Sequence, residues 1–263
     1  STMYSDEMRQ LATSVTEPNQ HTRELYRRVI SHLRRRLEAT VSYCEGMEFS
    51  DNMPHTSHGS FDADIGLNDS ARPITKTSEI LNPMLTMHDS LVRTGYGNVA
   101  SHLLTDVIRR LRCFGVNLVP LDIREESTVH NNALDAITEY IGVQRYSTLS
   151  EDERIAFLEK ELVHSKRPLF DNEAIDNLPF DSDVKKTLMV FKEISRFEAE
   201  SLGAYVISQA KVASDVLVVM LLQKQFGMTS TGGNMMRIVP LFETLTDLTN
   251  APDTCDRLFS VPA

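Results

Sequence analysis

Residues 113–127 read CFGVNLVPLDIREES, and the fold turns on how this stretch is read. Upstream of it, Leu103, Leu104, Val107, Ile108 and Leu111 recur at helical spacing, and Gly115 stops the pattern. Residues 116–124 (VNLVPLDIR) are then apolar, rich in β-branched side chains, and closed by charge. That is the signature of a buried parallel strand. Residues 204–208 (AYVIS) and 238–244 (IVPLFET) have the same character, each following a glycine or a loop.

Outward from these three stretches the chain reads as helix. Between residues 23 and 45, Tyr26, Val29, Ile30, Leu33, Leu37 and Val41 form one apolar face, with Arg27, Arg34, Arg35 and Glu38 off it. Residues 77–93, 99–114, 183–202 and 213–226 repeat helical patterns, stopped by Gly95, Gly115, Gly203 and Gly227. Ser150 and Glu153 form a capping box that opens a further helix to about residue 163. Strands separated by long helical excursions imply a parallel barrel or a doubly wound sheet with helical insertions. Three strands cannot close a barrel, so its other strands lie elsewhere. Residues 46–76 have no period and are rich in Asp, Asn, Ser, His, Pro and Gly, which predicts a mobile loop.

Composition removes several classes. With 41% apolar and 24% charged residues, the chain is neither collagen-like, disordered nor coiled-coil. Cys44, Cys113 and Cys255 lie far apart, which excludes a zinc ribbon or a disulfide scaffold and fits a reducing compartment. A formal net charge of −10 argues against a nucleic-acid partner. No apolar run approaches 18 residues, so no membrane span is expected. The chain opens without Met, which suggests a segment of something longer.

In parallel barrels, chemistry sits at the C-terminal ends of strands. Here those ends carry Asp122, Arg124, Lys211 and Glu243. Arg124 is a guanidinium fork suited to phosphate or carboxylate. Glu243 is a hard oxygen ligand suited to Mg²⁺. The competing reading is four buried structural ion pairs. Other motifs are weaker. His55 and His58 lack further metal ligands. Ser208 and Lys211 have Ser-x-x-Lys spacing, with Ser50-Asp51-Asn52 and Lys76-Thr77-Ser78 as companions, but the order is wrong for a penicillin-recognising acylase. Thr231-Gly232-Gly233-Asn234 reads as a flexible connection, Asn68-Asp69-Ser70 as an unused glycosylation signal, and Arg34-Arg35-Arg36 as a solvated face.

The strings themselves resemble one family. Residues 113–127 resemble the CFGVxLVxLDIRQES segment of the phosphoenolpyruvate carboxylase family. Residues 203–217 (GAYVISQAKVASDVL) look like its AYVISMAKxxSDVL, and residues 239–248 (VPLFETLTDL) like its PLFETLDDL. Residues 161–168 (ELVHSKRP), 26–37 and the opening 5–9 (SDEMR) also fit, so the likeness is collinear over nearly the whole chain.

The resemblance implies a mostly α fold with a few parallel β-strands, part of a (β/α)8 TIM-type barrel with large helical insertions. Residues 1–263 would be the central portion of that single barrel domain. It implies a lyase that converts phosphoenolpyruvate and bicarbonate to oxaloacetate and phosphate, with Mg²⁺ or Mn²⁺, in a cytoplasmic homotetramer that replenishes the tricarboxylic acid cycle. Glu243 would be a metal ligand, and Arg124 the catalytic clamp on substrate phosphate. A catalytic histidine, a second metal carboxylate and a glycine–arginine loop of the family are absent from this stretch, so the chain alone is expected to be inactive. Glu125, Val129 and Gln209 stand where the family has Gln, Arg and Met. The alternative is a non-catalytic helical module that binds a full-length partner subunit.

Overall fold

The computed structural model describes residues 3–15, 24–48, 72–229 and 235–262, with side chains omitted at 46–48. The chain forms two compact units, Ser1–Val119 and Pro120–Ala263. None of the described helices is long and apolar enough to cross a membrane.

The first unit is helical. Helix α1 (Asp6–Ser14) is capped by Ser5, whose Oγ accepts from Met8 N at 3.3 Å. It is followed by α2 (Leu25–Glu48), α3 (Ser78–Arg93), the single turn α4 (Gly97–Val99), a π-type turn (Ala100–Leu104) and α5 (Thr105–Phe114). Met8, Ala12, Val29, Leu33, Ile74, Ile80 and Met87 make its core. Three expectations fail here. Of the apolar face expected on α2, Val29 and Leu33 are buried but Ile30, Leu37 and Val41 are exposed. Leu103 is 81% exposed and Val107 is also exposed, while Ile108 is buried. The π-type turn, with His102 at φ −104°, ψ −120°, shifts the phase of the apolar stripe. Arg36 is not solvated but 7% exposed. Its guanidinium donates to the carbonyls of Arg72 (3.0 Å) and Pro73 (3.1 Å) and to the Glu79 carboxylate. Of the predicted 46–76 loop, residues 46–48 close α2 and Ile74 is buried, its N–H donating to Thr40 Oγ1 at 2.8 Å. Residues 49–71, which hold His55, His58, Ser50-Asp51-Asn52 and Asn68-Asp69-Ser70, lie outside the described residues, as do 230–234.

The second unit carries a three-stranded parallel sheet, in the order β1 (Leu121–Glu126), β2 (Leu202–Ser208), β3 (Arg237–Pro240). Helices α6 (Ser127–Tyr140), α7 (Glu151–Glu159), α8 (Ser182–Ile194), α9 (Ala213–Gln225) and α10 (Leu245–Phe259) complete the unit. The core joins Ile123, Tyr205, Ile207 and Ile238 of the sheet to Leu134, Ile137, Leu188, Phe191, Leu217 and Leu222 of the helices. This is mostly α structure with a few parallel strands, as the sequence predicts.

The element ends differ from expectation for local reasons. The first strand begins at Leu121, not at 116, because Gly115 (φ +58°) and Leu118 (φ +61°) turn the chain and Pro120 has no N–H to donate. The predicted 183–202 helix stops at Ile194, and Gly203 is a strand residue rather than a helix stop. The third strand is shorter than 238–244, although Leu241 N still donates to Ile207 O at 2.9 Å. Helices α6 and α10 escape the pattern reading. His130, Asn131 and Asn132 dilute the stripe of α6, and Pro252 sits inside α10. The capping box of α7 forms as predicted. Beyond α7, Lys224 Nζ donates to the carbonyls of Glu161, Leu162 and Ser165 at 2.6, 2.8 and 2.7 Å. One ammonium thus satisfies three carbonyls around the end of the π-type extension of α7 and ties it to α9.

Candidate active site

Lys211 and Glu243 follow the C-terminal ends of β2 and β3, whereas Arg124 lies within β1 and Asp122 near the N-terminal end of that strand. All four are exposed, which sets aside the reading of buried ion pairs. Each is placed by a different local device.

Arg124 pairs in register with Val206, and Val206 with Val239. The preceding row, Ile123–Tyr205–Ile238, packs on the helices. Side chains alternate along a strand, so Arg124 stands on the face away from the helices. Glu125 alternates back. It shares a row with the fully buried Ile207, and its carboxylate accepts from Glu126 N at 3.0 Å. The departure at Glu125 therefore puts negative charge on the helix side of the sheet, not beside the guanidinium.

The register that achieves this is set by a bulge. Between Leu121–Leu202 and Ile123–Tyr205, β2 carries one extra residue. Asp122 fills the irregularity, its carboxylate accepting from Ala204 N at 2.7 Å. A side chain on Gly203 would run into that carboxylate, so glycine is the residue that admits the bond. Gly203→Ala should break it and lower the stability of this unit by about 1 kcal/mol. A urea midpoint equal to that of the wild type would mean that Asp122 swings aside freely.

Glu243 follows β3 and immediately precedes the capping box of α10. Thr244 Oγ1 accepts from Asp247 N at 3.1 Å, and the Asp247 carboxylate accepts from Thr244 N at 2.9 Å. The Thr244 hydroxyl and amide, with the Glu243 amide and nearby Lys211, hold the Asp247 carboxyl below its usual range. Asp247 thereby fixes the backbone of Glu243 and leaves its carboxylate exposed.

Lys211 precedes a second cap. Asp215 accepts from Lys211 N (2.9 Å) and Val212 N (3.2 Å) and also from Asn131 Nδ2 (3.2 Å). Ser214 donates its N–H and Oγ to Glu151 at 3.0 and 2.7 Å. Ser214 and Asp215 are thus structural. Ser208 ends a strand, its Oγ donating to Glu125 O at 3.4 Å, and does not open a helix as an acylase serine would.

Sequence patterns missed two features. Gln209 has φ +53°, the left-handed region, and its carbonyl accepts from Ser127 Oγ at 2.9 Å. Beneath the sheet, His130 Nε2 lies 2.8 Å from the Tyr205 hydroxyl. Burial pushes the His130 imidazole down to about 4, and burial with the nearby Glu125 charge pushes the Tyr205 phenol up.

A cavity of about 300 Å³ lies along β1 and α8, lined by Asp122, Arg124, Glu125, Thr187, Val190 and Tyr205 among others. A larger one of about 660 Å³ beside α9, β3 and α10 is apolar apart from Arg237 and offers nothing for phosphate chemistry beyond that group. Among the described residues, no three His, Cys, Asp or Glu side chains converge to hold a metal ion. Glu243 has the donor chemistry for a hard divalent cation but supplies a single carboxylate.

Comparison with known proteins identifies the family. The family model for phosphoenolpyruvate carboxylase matches residues 2–263. A phosphoenolpyruvate carboxylase 2 of Chlamydomonas reinhardtii is 38% identical over 250 residues, 90% of this chain and 20% of that one. The phosphoenolpyruvate carboxylase of Acinetobacter baylyi is 42% identical over 196 residues, 73% of this chain and 21% of its own. That of Salmonella paratyphi B is 39% identical over 238 residues, 90% of this chain and 24% of its own. The chain therefore spans a fifth to a quarter of the length of these relatives. The family model covers residues 2–263, so the chain belongs to the phosphoenolpyruvate carboxylase family.

Proposed function

We propose that the complete polypeptide containing this chain converts phosphoenolpyruvate and bicarbonate to oxaloacetate and inorganic phosphate. The observation that carries the reading is a family match that runs over residues 2–263, within which Arg124 on β1 and Glu243 just past β3 are both exposed.

The chemistry assigns each a role. A bicarbonate oxygen attacks phosphorus, the bond from phosphorus to the enol oxygen breaks, and carboxyphosphate and the pyruvate enolate result. Carboxyphosphate releases CO₂ and phosphate, and the enolate carbon attacks CO₂ to give oxaloacetate. Negative charge is dense throughout, so fixed cations govern the barrier. Arg124 binds and orients the phosphate through its planar fork. Glu243 supplies one carboxylate to a bound Mg²⁺ or Mn²⁺, which when present polarises the oxygens of the enolate and phosphoryl group. The remaining ligands and the proton-handling groups come from other parts of the polypeptide.

The same reading makes the three strands part of a (β/α)8 barrel and residues 1–263 the middle of its single domain. The complete enzyme is a cytoplasmic homotetramer serving carbon fixation or replenishment of the tricarboxylic acid cycle. The test is oxaloacetate formation, followed by coupled reduction to malate. The complete polypeptide should turn over only with a divalent cation, and residues 1–263 alone should not. Glu243→Ala should raise the Mg²⁺ concentration needed for half-maximal rate. An unchanged rate at limiting Mg²⁺ would remove Glu243 from the metal site, and an inactive complete polypeptide would remove the reading altogether.

A further inference from the structure

Glu243 stands two residues before α10, so the first turn of that helix is the support on which its carboxylate is presented. The turn has no apolar anchor. Leu245 is 82% and Leu248 58% exposed, and the only buried residue of the whole helix is Asp247, at 7%. An aspartate is seldom so buried unless its oxygens are engaged. Here the carboxylate accepts from Thr244 N at 2.9 Å, and the Glu243 amide stabilises it as well. Thr244 Oγ1 completes the box by accepting from Asp247 N at 3.1 Å. Seven residues on, along the same face of the helix, Thr254 Oγ1 donates to Lys211 O at 3.1 Å, and the Lys211 ammonium attracts the Asp247 carboxylate. Helix α10 is thus seated beside the end of β2 by polar groups. Only toward its C-terminus does an apolar side chain, Leu258, pack on the core. Where packed side chains hold a first turn, losing the cap costs stability and leaves the turn in place. Here one carboxylate does both jobs.

We propose that Asp247 is a positioning residue for metal binding: it fixes the backbone of Glu243 so that the Glu243 carboxylate is presented, already ordered, to a divalent cation. The role rests on Glu243 being a metal ligand, as proposed above. Asp247 acts through the backbone and is not itself a ligand. Without it, the cation must order residues 243–244 as it binds, and affinity falls by the entropy of that ordering.

The test is Mn²⁺ binding to the complete polypeptide without substrate, read as the electron paramagnetic resonance signal of the free ion. Asp247→Ala should weaken Mn²⁺ binding about tenfold. Asp247→Asn keeps an acceptor oxygen for Thr244 N and should restore most of that loss. Should the alanine variant fail to fold, Thr244→Ala removes the other half of the box and should still weaken binding. Asp247→Ala, or in its place Thr244→Ala, with wild-type Mn²⁺ affinity would make Asp247 a helix cap only, and the proposal fails while Glu243→Ala still loses the metal. If Glu243→Ala also binds Mn²⁺ like the wild type, the metal assignment fails and takes the positioning role with it.

Discussion

Arg124→Ala in the complete polypeptide should lower kcat/KM for phosphoenolpyruvate by about 10²–10³-fold, or roughly 3–4 kcal/mol of transition-state stabilisation. The size follows from what the side chain faces. Phosphoryl transfer from an enol ester to bicarbonate crowds anions around one phosphorus, and a guanidinium placed before reaction stabilises that charge at no reorganisation cost. Melting should not change, because Arg124 is exposed and stands on the sheet face away from the helical core. Arg124→Lys should fall between wild type and alanine, since it keeps the charge and loses the two-pronged geometry. The check is steady-state kinetics at saturating Mg²⁺ and bicarbonate, with Tm measured on the same samples. An alanine variant within threefold of wild type would mean that Arg124 does not hold the phosphate.

The second large effect is on stability. His130 is 1% exposed, with Nε2 on the Tyr205 hydroxyl and its ring beside Phe191. Among the described residues Nδ1 has no partner, so protonation would place an uncompensated charge in the core. Burial accordingly pulls its pKa from 6.5 down to about 4. The unfolded chain takes up this proton as the pH falls below about 6.5, and the folded chain does not. The contribution is therefore whole above pH 6.5 and is lost as the pH falls toward 4, by about 3 kcal/mol in all. Carboxylates titrate in the same range, so the diagnostic is a difference. His130→Gln, whatever its stability at pH 7, should lose less stability than wild type between pH 6.5 and 4.5. Parallel denaturation curves for the two proteins across that interval would show that His130 titrates normally.

Much of the architecture is carried by short-range pattern. The parallel strands announce themselves by apolar β-branched runs after a glycine or loop. The α7 cap is written in Ser150 and Glu153, and the end of α9 in Gly227. Arg124 and Glu243 stand out because charge directly follows an apolar run, although the first run is not the buried strand its composition predicts: Leu118, Val119 and Leu121 are exposed. The α5 stripe misled for the converse reason: a π-type turn at Ala100–Leu104 changes the period, and nothing in Leu103 or Val107 reports it.

The sequence by itself determined the family, the presence of three parallel strands among helices, and the polar groups at their ends. Each of these is encoded within a few residues of where it acts. Tertiary structure alone decided which face each group takes. Which of Arg124 and Glu125 turns to the helix side is decided by the packing of the sheet on its helices, not by the two residues themselves. The left-handed turn at Gln209 depends on Ser127, 82 residues away. The acid sensitivity of His130 depends on its burial in a core to which distant residues such as Phe191 and Tyr205 contribute. A strand has two faces and local sequence labels neither; the partner that fills one of them makes the choice.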